Sequence, residues 1–225
     1  MTRRTNATVA GIAYLLYIAV AFPSMVLMER ATAGDSMAAK LAGLAQHAGS
    51  VRLAVVLSMV GCFCALILAV TLYAITRDQD RDLAMLGLTC RVTEGVSGAA
   101  SLPVTLALLS IAPASGPSMP DPAAGQAIAA FVLHQPWQIT ATFFAVGSTI
   151  FSWLLLRGRM VPTWLASLGV IGSALVVVGL PLQFTGVLRG IVTQLMWIPV
   201  AIFELVLAGW LIVKGVKSPE VAQHE

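Results

Sequence analysis

Apolar residues along this chain gather into long stretches that are separated by short polar or proline-rich segments. The hydrocarbon core of a bilayer is about 30 Å thick, so a helix that crosses it needs roughly 20 apolar residues. Stretches of that length predict six transmembrane helices. They lie at residues 8–28, 52–76, 83–111, 136–156, 162–182 and 190–213.

Composition supports the same class of protein. Residues are 58% hydrophobic and 10% charged, whereas ordinary soluble domains are about 25% charged. We therefore predict an all-α fold, a six-transmembrane-helix bundle that forms a single multipass membrane domain over residues 1–225, with the lipid bilayer as its partner. The net charge is +3, but the basic residues stand at segment ends, which indicates membrane topology rather than binding to nucleic acid.

The distribution of Lys and Arg predicts the orientation of the bundle. With six spans, eight basic residues fall on one side and four on the other. The eight are Arg3, Arg4, Arg77, Arg81, Arg157, Arg159, Lys214 and Lys217, and the four are Arg30, Lys40, Arg52 and Arg189. The positive-inside rule then places both termini in the cytoplasm. We also expect the run from Ala7 to Met28 to be a retained helix, because it exceeds the 7–15 apolar residues of a cleavable signal peptide.

Three charged residues stand inside the apolar segments. At 1.5 Å per residue, Glu94 lies about 18 Å and Arg91 about 13 Å along the third span from Asp82. Glu204 lies about 15 Å along the sixth span from Lys214. All three therefore lie near the middle of a core about 30 Å thick. Charges in a bilayer are costly and face a partner or a cavity, so we expect the three side chains to meet.

Neighbouring residues extend this predicted site. Tyr14 and Tyr17 lie at a comparable depth in the first span, where a phenol could donate a hydrogen bond to a glutamate. On the third span, a small or polar stripe follows helical i, i+3/i+4 spacing and should face the interior. Its members are Gly87, Arg91, Glu94, Gly98 and Ser101.

Several kinds of chemistry have no support in the sequence. No His, Cys, Asp or Glu cluster has metal-ligand spacing, and we expect neither a metal nor a cofactor. Cys62, Cys64 and Cys90 lie in apolar segments without a CxxC pair, so we read them as core residues. The chain also lacks a glycine-rich phosphate loop and a serine nucleophile elbow.

Two interpretations of the charged site stay open. Arg91 and one glutamate could form a buried ion pair that fixes the packing of the helices, with the second glutamate protonated. Alternatively, the site binds a ligand, with Arg91, Glu94, Glu204, Tyr14 and Tyr17 as ligand-binding residues. Two carboxylates exceed what one guanidinium needs, which favours the second interpretation and a lipophilic or small polar ligand.

The sequence does not decide whether the protein is an enzyme. An enzyme would use Glu94 or Glu204 as a general acid on an isoprenoid-like substrate, with aromatic side chains such as Phe63, Phe143 and Phe144 stabilising a carbocation. A proton-coupled transporter would use the glutamates as a relay. A structural membrane subunit would need them only for packing. Substrate and oligomeric state are not determined by the sequence.

The chain resembles a bacterial integral membrane family that is catalogued as domain of unknown function 4386. The resemblance covers nearly the whole length and implies a six-helix bundle in the bacterial plasma membrane, without an activity. It rests on weak motifs in a consistent order, namely Gly11, Tyr14-Leu15, Gly34-Asp35, Arg52, Leu72-Tyr73, Leu83-Ala84, Arg91, Glu94, Pro162, Leu165, Gly169, Glu204, Trp210-Leu211 and Lys214-Gly215.

Overall fold

The computed structural model describes residues 2–112, 122–133 and 137–217, with the side chains of 122–125 excepted. Within these ranges the chain is helical and has no strand. The helices are α1 (Arg3–Ala31), α2 (Met37–Gln46), α3 (Ala48–Thr76), α4 (Arg81–Ile111), α5 (Pro122–Leu133), α6 (Trp137–Arg157), α7 (Thr163–Phe184), α8 (Val192–Leu195) and α9 (Ile198–Val213).

In the part of the chain that the structure describes, six segments are long and apolar enough to cross a membrane, which confirms the predicted all-helical fold with six spans. They are Arg3–Ala31, Ala48–Thr76, Arg81–Ile111, Gln126–Arg157, Thr163–Phe184 and Val192–Val213. The fourth of these ranges includes residues 134–136, which lie outside the described residues. The sixth consists of two helices, α8 and α9, with a turn at Met196 and Trp197 between them.

The helix α2 is not among the elements predicted from the sequence, which are the six long apolar segments alone. At 10 residues it is too short to cross a bilayer. Ser36 begins it as an N-cap, and the Ser36 hydroxyl accepts a hydrogen bond of 3.1 Å from the backbone N–H of Ala39. This is the usual way in which serine satisfies a free N–H at a helix start.

The described chain divides into two compact units. One is formed from residues 18–62 and 96–137, and the other from residues 1–17, 63–95 and 138–225. The prediction of a single membrane domain stays a prediction. In the first unit, α2 packs on α5, and the hydroxyl of Ser24 on α1 donates a 3.0 Å hydrogen bond to the carbonyl of Ala54 on α3.

The second unit contains the predicted site, and close helix contacts position it. A Cβ at Gly11 on α1 would lie 2.7 Å from the carbonyl oxygen of Ala208 on α9. A Cβ at Gly172 on α7 would lie 3.0 Å from the backbone nitrogen of Val200, also on α9. Glycines therefore let α9 approach both α1 and α7, as small residues do where membrane helices pack closely.

Basic residues join helix ends within this second unit. The Arg3 guanidinium donates to the carbonyl of Ile75 at 2.9 Å and pairs with Asp78 at 3.0 Å. Arg4 donates to the carbonyls of Ile212 and Val213 at 3.0 Å. Cations suit these positions, because the last carbonyls of a helix are unsatisfied and carry partial negative charge. The start of α1 and the ends of α3 and α9 thus lie together.

Candidate functional site: a buried Arg–Glu centre

The centre of the site is an ion pair within α4. Arg91 is fully buried, with 0% of its surface exposed, and Glu94 follows one helical turn later at 5%. The Arg91 Nη1 and Glu94 Oε2 atoms are 2.9 Å apart. This contact does not have hydrogen-bond geometry, and Nε, Nη1 and Nη2 of Arg91 have no hydrogen-bond partner among the described residues. Charge attraction therefore holds the pair, while the donors of the guanidinium stay unsatisfied.

Two tyrosines of α1 approach the ion pair. The Tyr17 hydroxyl donates a hydrogen bond of 2.9 Å to Glu94 Oε1, so the predicted bond from a phenol to a glutamate is present. Tyr14 is 2% exposed and lies within electrostatic reach of Glu204, Arg91 and Glu94. Glu94 is consequently fixed on both oxygens, by a cation on one side and by a hydroxyl on the other.

Glu204 reaches the same centre from α9. It is 5% exposed and interacts electrostatically with Arg91 and Glu94. Its Oε1 atom has no hydrogen-bond partner within the described part of the chain. Glu204 therefore lies within electrostatic reach of the Arg91–Glu94 pair, while a direct contact of its side chain with either residue stays a prediction. Their role in binding or catalysis stays a prediction.

Aromatic rings and a glycine of α6 enclose the guanidinium. The Phe144 ring centroid lies 4.9 Å from Arg91 Cζ, and the Tyr17 ring centroid lies 5.9 Å from it. A Cβ at Gly147 would lie 3.0 Å from Arg91 Cγ, so a larger residue there would crowd the stem of this arginine. The Trp197 ring packs against Phe144 at an angle of 32°, with 6.1 Å between ring centroids.

The other aromatic residues that were considered for carbocation chemistry lie elsewhere. Phe63 is 60% exposed and Phe143 is 37% exposed, so both point away from the buried centre. Ser101 is also exposed, and the predicted inward-facing stripe of α4 is therefore wrong at its last member. Its hydroxyl donates to the carbonyl of Gly98 at 2.7 Å, which satisfies the donor without any inward contact.

Sequence reasoning missed two serines of α6. Ser148 is 3% exposed and Ser152 is 1% exposed. Neither hydroxyl has a hydrogen-bond partner among the described residues, whereas Thr142 and Thr149 of the same helix donate to carbonyls of the preceding turn. Phe144, Ser148 and Ser152 are spaced by four and share one helix face. Serine is common in membrane helices, so the sequence does not distinguish Ser148 and Ser152 from serines that only pack against a neighbouring helix.

Neither a metal site nor either of two apolar cavities coincides with the charged centre among the described residues. Among the described residues, no group of three His, Cys, Asp or Glu side chains could hold a metal ion. One cavity of about 570 Å³ and another of about 140 Å³ are lined by apolar residues. Arg91, Glu94 and Glu204 line neither of them. Because Arg91 is 0% exposed and both glutamates are 5% exposed, a large ligand would reach the charged centre only after a movement of the enclosing side chains.

Comparison with known proteins gives the family. The family described as "Domain of unknown function (DUF4386)" matches residues 9–215. The chain belongs to this family. The match includes all of the residues that form the buried centre of this DUF4386 protein. No curated protein and no solved structure matches the chain.

Proposed function

We propose that this protein is a bacterial plasma-membrane protein whose Arg91–Glu94–Glu204 centre binds a small polar ligand. The ligand carries a carboxylate, carbonyl or other acceptor group toward Arg91 and a donor toward Glu204. Glu94 sets the orientation of the guanidinium. The sequence predicts a binding site for a lipophilic or small polar ligand at these three residues together with Tyr14 and Tyr17, and the burial of Arg91 favours the small polar ligand.

The observation that carries this proposal is the set of buried polar atoms without hydrogen-bond partners. The three guanidinium nitrogens of Arg91 and Oε1 of Glu204 are all in this state among the described residues. Leaving a buried donor or acceptor unsatisfied costs about 1–3 kcal/mol, and more for a charged group. A planar guanidinium matches the two oxygens of a carboxylate or phosphate. Binding such a group would satisfy donors that the helices leave open.

A ligand that co-purifies with the protein tests the proposal. Native mass spectrometry of the protein in mild detergent should show an additional small mass on the wild type. Arg91→Lys keeps the positive charge but loses the planar guanidinium that can donate two parallel hydrogen bonds. Glu204→Gln loses the negatively charged acceptor. We expect each variant to hold the ligand about ten- to a hundredfold more weakly, as expected for a lost hydrogen bond to a charged group.

Glu29→Gln is the matched control, since it removes an exposed carboxylate and should keep the ligand. Glu204→Gln should melt at nearly the wild-type temperature without ligand, because Glu204 Oε1 bonds to no described residue. A wild type without any bound small molecule, together with a Glu204→Gln variant that melts much earlier, would instead show a purely structural role of the charges.

The orientation is part of the same proposal. We place both termini in the cytoplasm, because the eight basic residues on one side of the spans outnumber the four on the other. The contacts of Arg3 and Arg4 with the ends of α3 and α9 support a common basic end. A green fluorescent protein fused after Lys217 should fluoresce, and alkaline phosphatase at the same position should be inactive. Active phosphatase there would reverse the assignment.

A further inference from the structure

An apolar groove lies between α7 and the segment that leads into α9. It has a volume of about 570 Å³, within the range of about 300–1,000 Å³ that is typical of ligand pockets. Leu188 and Val192 line one side, and Gly179 and Met196 also line it. A Cβ at Gly179 would lie 2.5 Å from the sulfur of Met196. The absence of a side chain at Gly179 therefore lets the buried Met196 side chain pack directly against α7 at the groove.

The groove has the length of one lipid tail. Along α7 its lining extends from Val170 to Leu182, which is about 18 Å at 1.5 Å per residue. One leaflet contributes about half of the 30 Å hydrocarbon thickness of a bilayer, or about 15 Å. Its end at Leu182 is close to the end of α7 at Phe184, where lipid headgroups would lie.

A single basic residue stands at that end. Arg189 is exposed and lies in the chain between Leu188 and Val192, which line the groove. The turn at Arg189 has glycines with positive φ on both sides, Gly186 at 76° and Gly190 at 70°. The Nε atom of Arg189 donates a hydrogen bond of 2.6 Å to the carbonyl of Gly186. This bond holds the guanidinium at the turn that carries Leu188, a residue of the groove lining.

We propose that this groove binds one acyl chain of an anionic phospholipid and that Arg189 binds the phosphate of the same molecule. An apolar channel about one leaflet long with a cation at its headgroup end fits a molecule with a single charged end. A second copy of this chain would not require the cation at that position. The inference does not depend on the proposed function of the Arg91 centre.

Native mass spectrometry with defined lipids tests this site. The detergent-purified protein is delipidated and mixed with dioleoylphosphatidylglycerol or with dioleoylphosphatidylcholine. The wild type should retain one phosphatidylglycerol preferentially. Arg189→Gln should reduce this preference about fivefold, the effect of one basic residue near an anionic lipid. Ala174→Phe places a ring in the groove and should reduce the retention of both lipids.

Matched variants separate this site from general lipid binding. Arg52→Gln removes another exposed cation and Leu86→Phe enlarges another exposed apolar residue, and both should behave like the wild type. If Ala174→Phe does not fold, Ala174→Leu replaces it. Equal retention in wild type, Arg189→Gln and the Ala174 variant would overturn the proposal. A dimer that Ala174→Phe converts to a monomer would also overturn it, since a second copy would then cover the groove.

Discussion

Replacing Arg91 with leucine should destabilise the protein by about 3–5 kcal/mol, because breaking a buried pair leaves an uncompensated charge. Arg91 is 0% exposed and Glu94 is 5% exposed, so water cannot easily replace the lost guanidinium. After the substitution, only the Tyr17 hydroxyl would donate to Glu94 among the contacts described above. Chemical unfolding in detergent micelles measures the difference in the free energy of unfolding.

The matched control for this experiment is Arg81→Leu at the start of the same helix. Arg81 is exposed, and surface substitutions usually change stability by less than about 0.5 kcal/mol. The double variant Arg91→Leu/Glu94→Leu should recover much of the lost stability, since a well-packed apolar pair can replace a buried ion pair. Equal stability of Arg91→Leu and Arg81→Leu would contradict the buried pairing.

The parts of the fold that the sequence predicts are those set by the bilayer. A span needs a fixed number of apolar residues, so the six segments could be found without knowledge of their neighbours. The same length rule also predicts how deep Glu94 and Glu204 lie in the bilayer. Charges at equal depth in one bundle tend to meet, because each would be costly alone. The placement of Tyr17 against Glu94 follows from the same depth argument.

The remaining features depend on which helix faces which. Phe63 and Phe144 are equally plausible from the sequence as walls of a pocket, yet Phe63 is 60% exposed and Phe144 is 7% exposed. Gly147 accommodates the stem of Arg91, but a glycine in a membrane helix has many other uses. The helix α2 could not be predicted in this way, because a segment of 10 residues is too short for the length rule that identifies spans.

Replacing Gly169 with alanine should destabilise the bundle by about 1–3 kcal/mol, as overpacking of a filled interior does. A Cβ at this position of α7 would lie 2.5 Å from two ring atoms of Phe203 and 2.6 Å from Oγ of Ser152. Both neighbours are 1% exposed, so they have little room to move. The hydroxyl of Ser173 also donates to the carbonyl of Gly169, which ties the glycine to the next turn. Thermal unfolding in detergent should show a lower midpoint for this variant.

Gly209→Ala is the control, and we expect it to change the stability in the opposite direction. Gly209 lies on α9, and a Cβ there would have no atom within 4 Å. Alanine lowers the entropy of the unfolded chain and favours a helix over glycine by about 0.5–1 kcal/mol, so this variant should be slightly more stable than the wild type. If Gly169→Ala and Gly209→Ala had the same effect, α7 could not pack against Phe203 as described. Because Glu204 follows Phe203 on α9, a shift of the Phe203 ring should also weaken ligand retention at the buried centre.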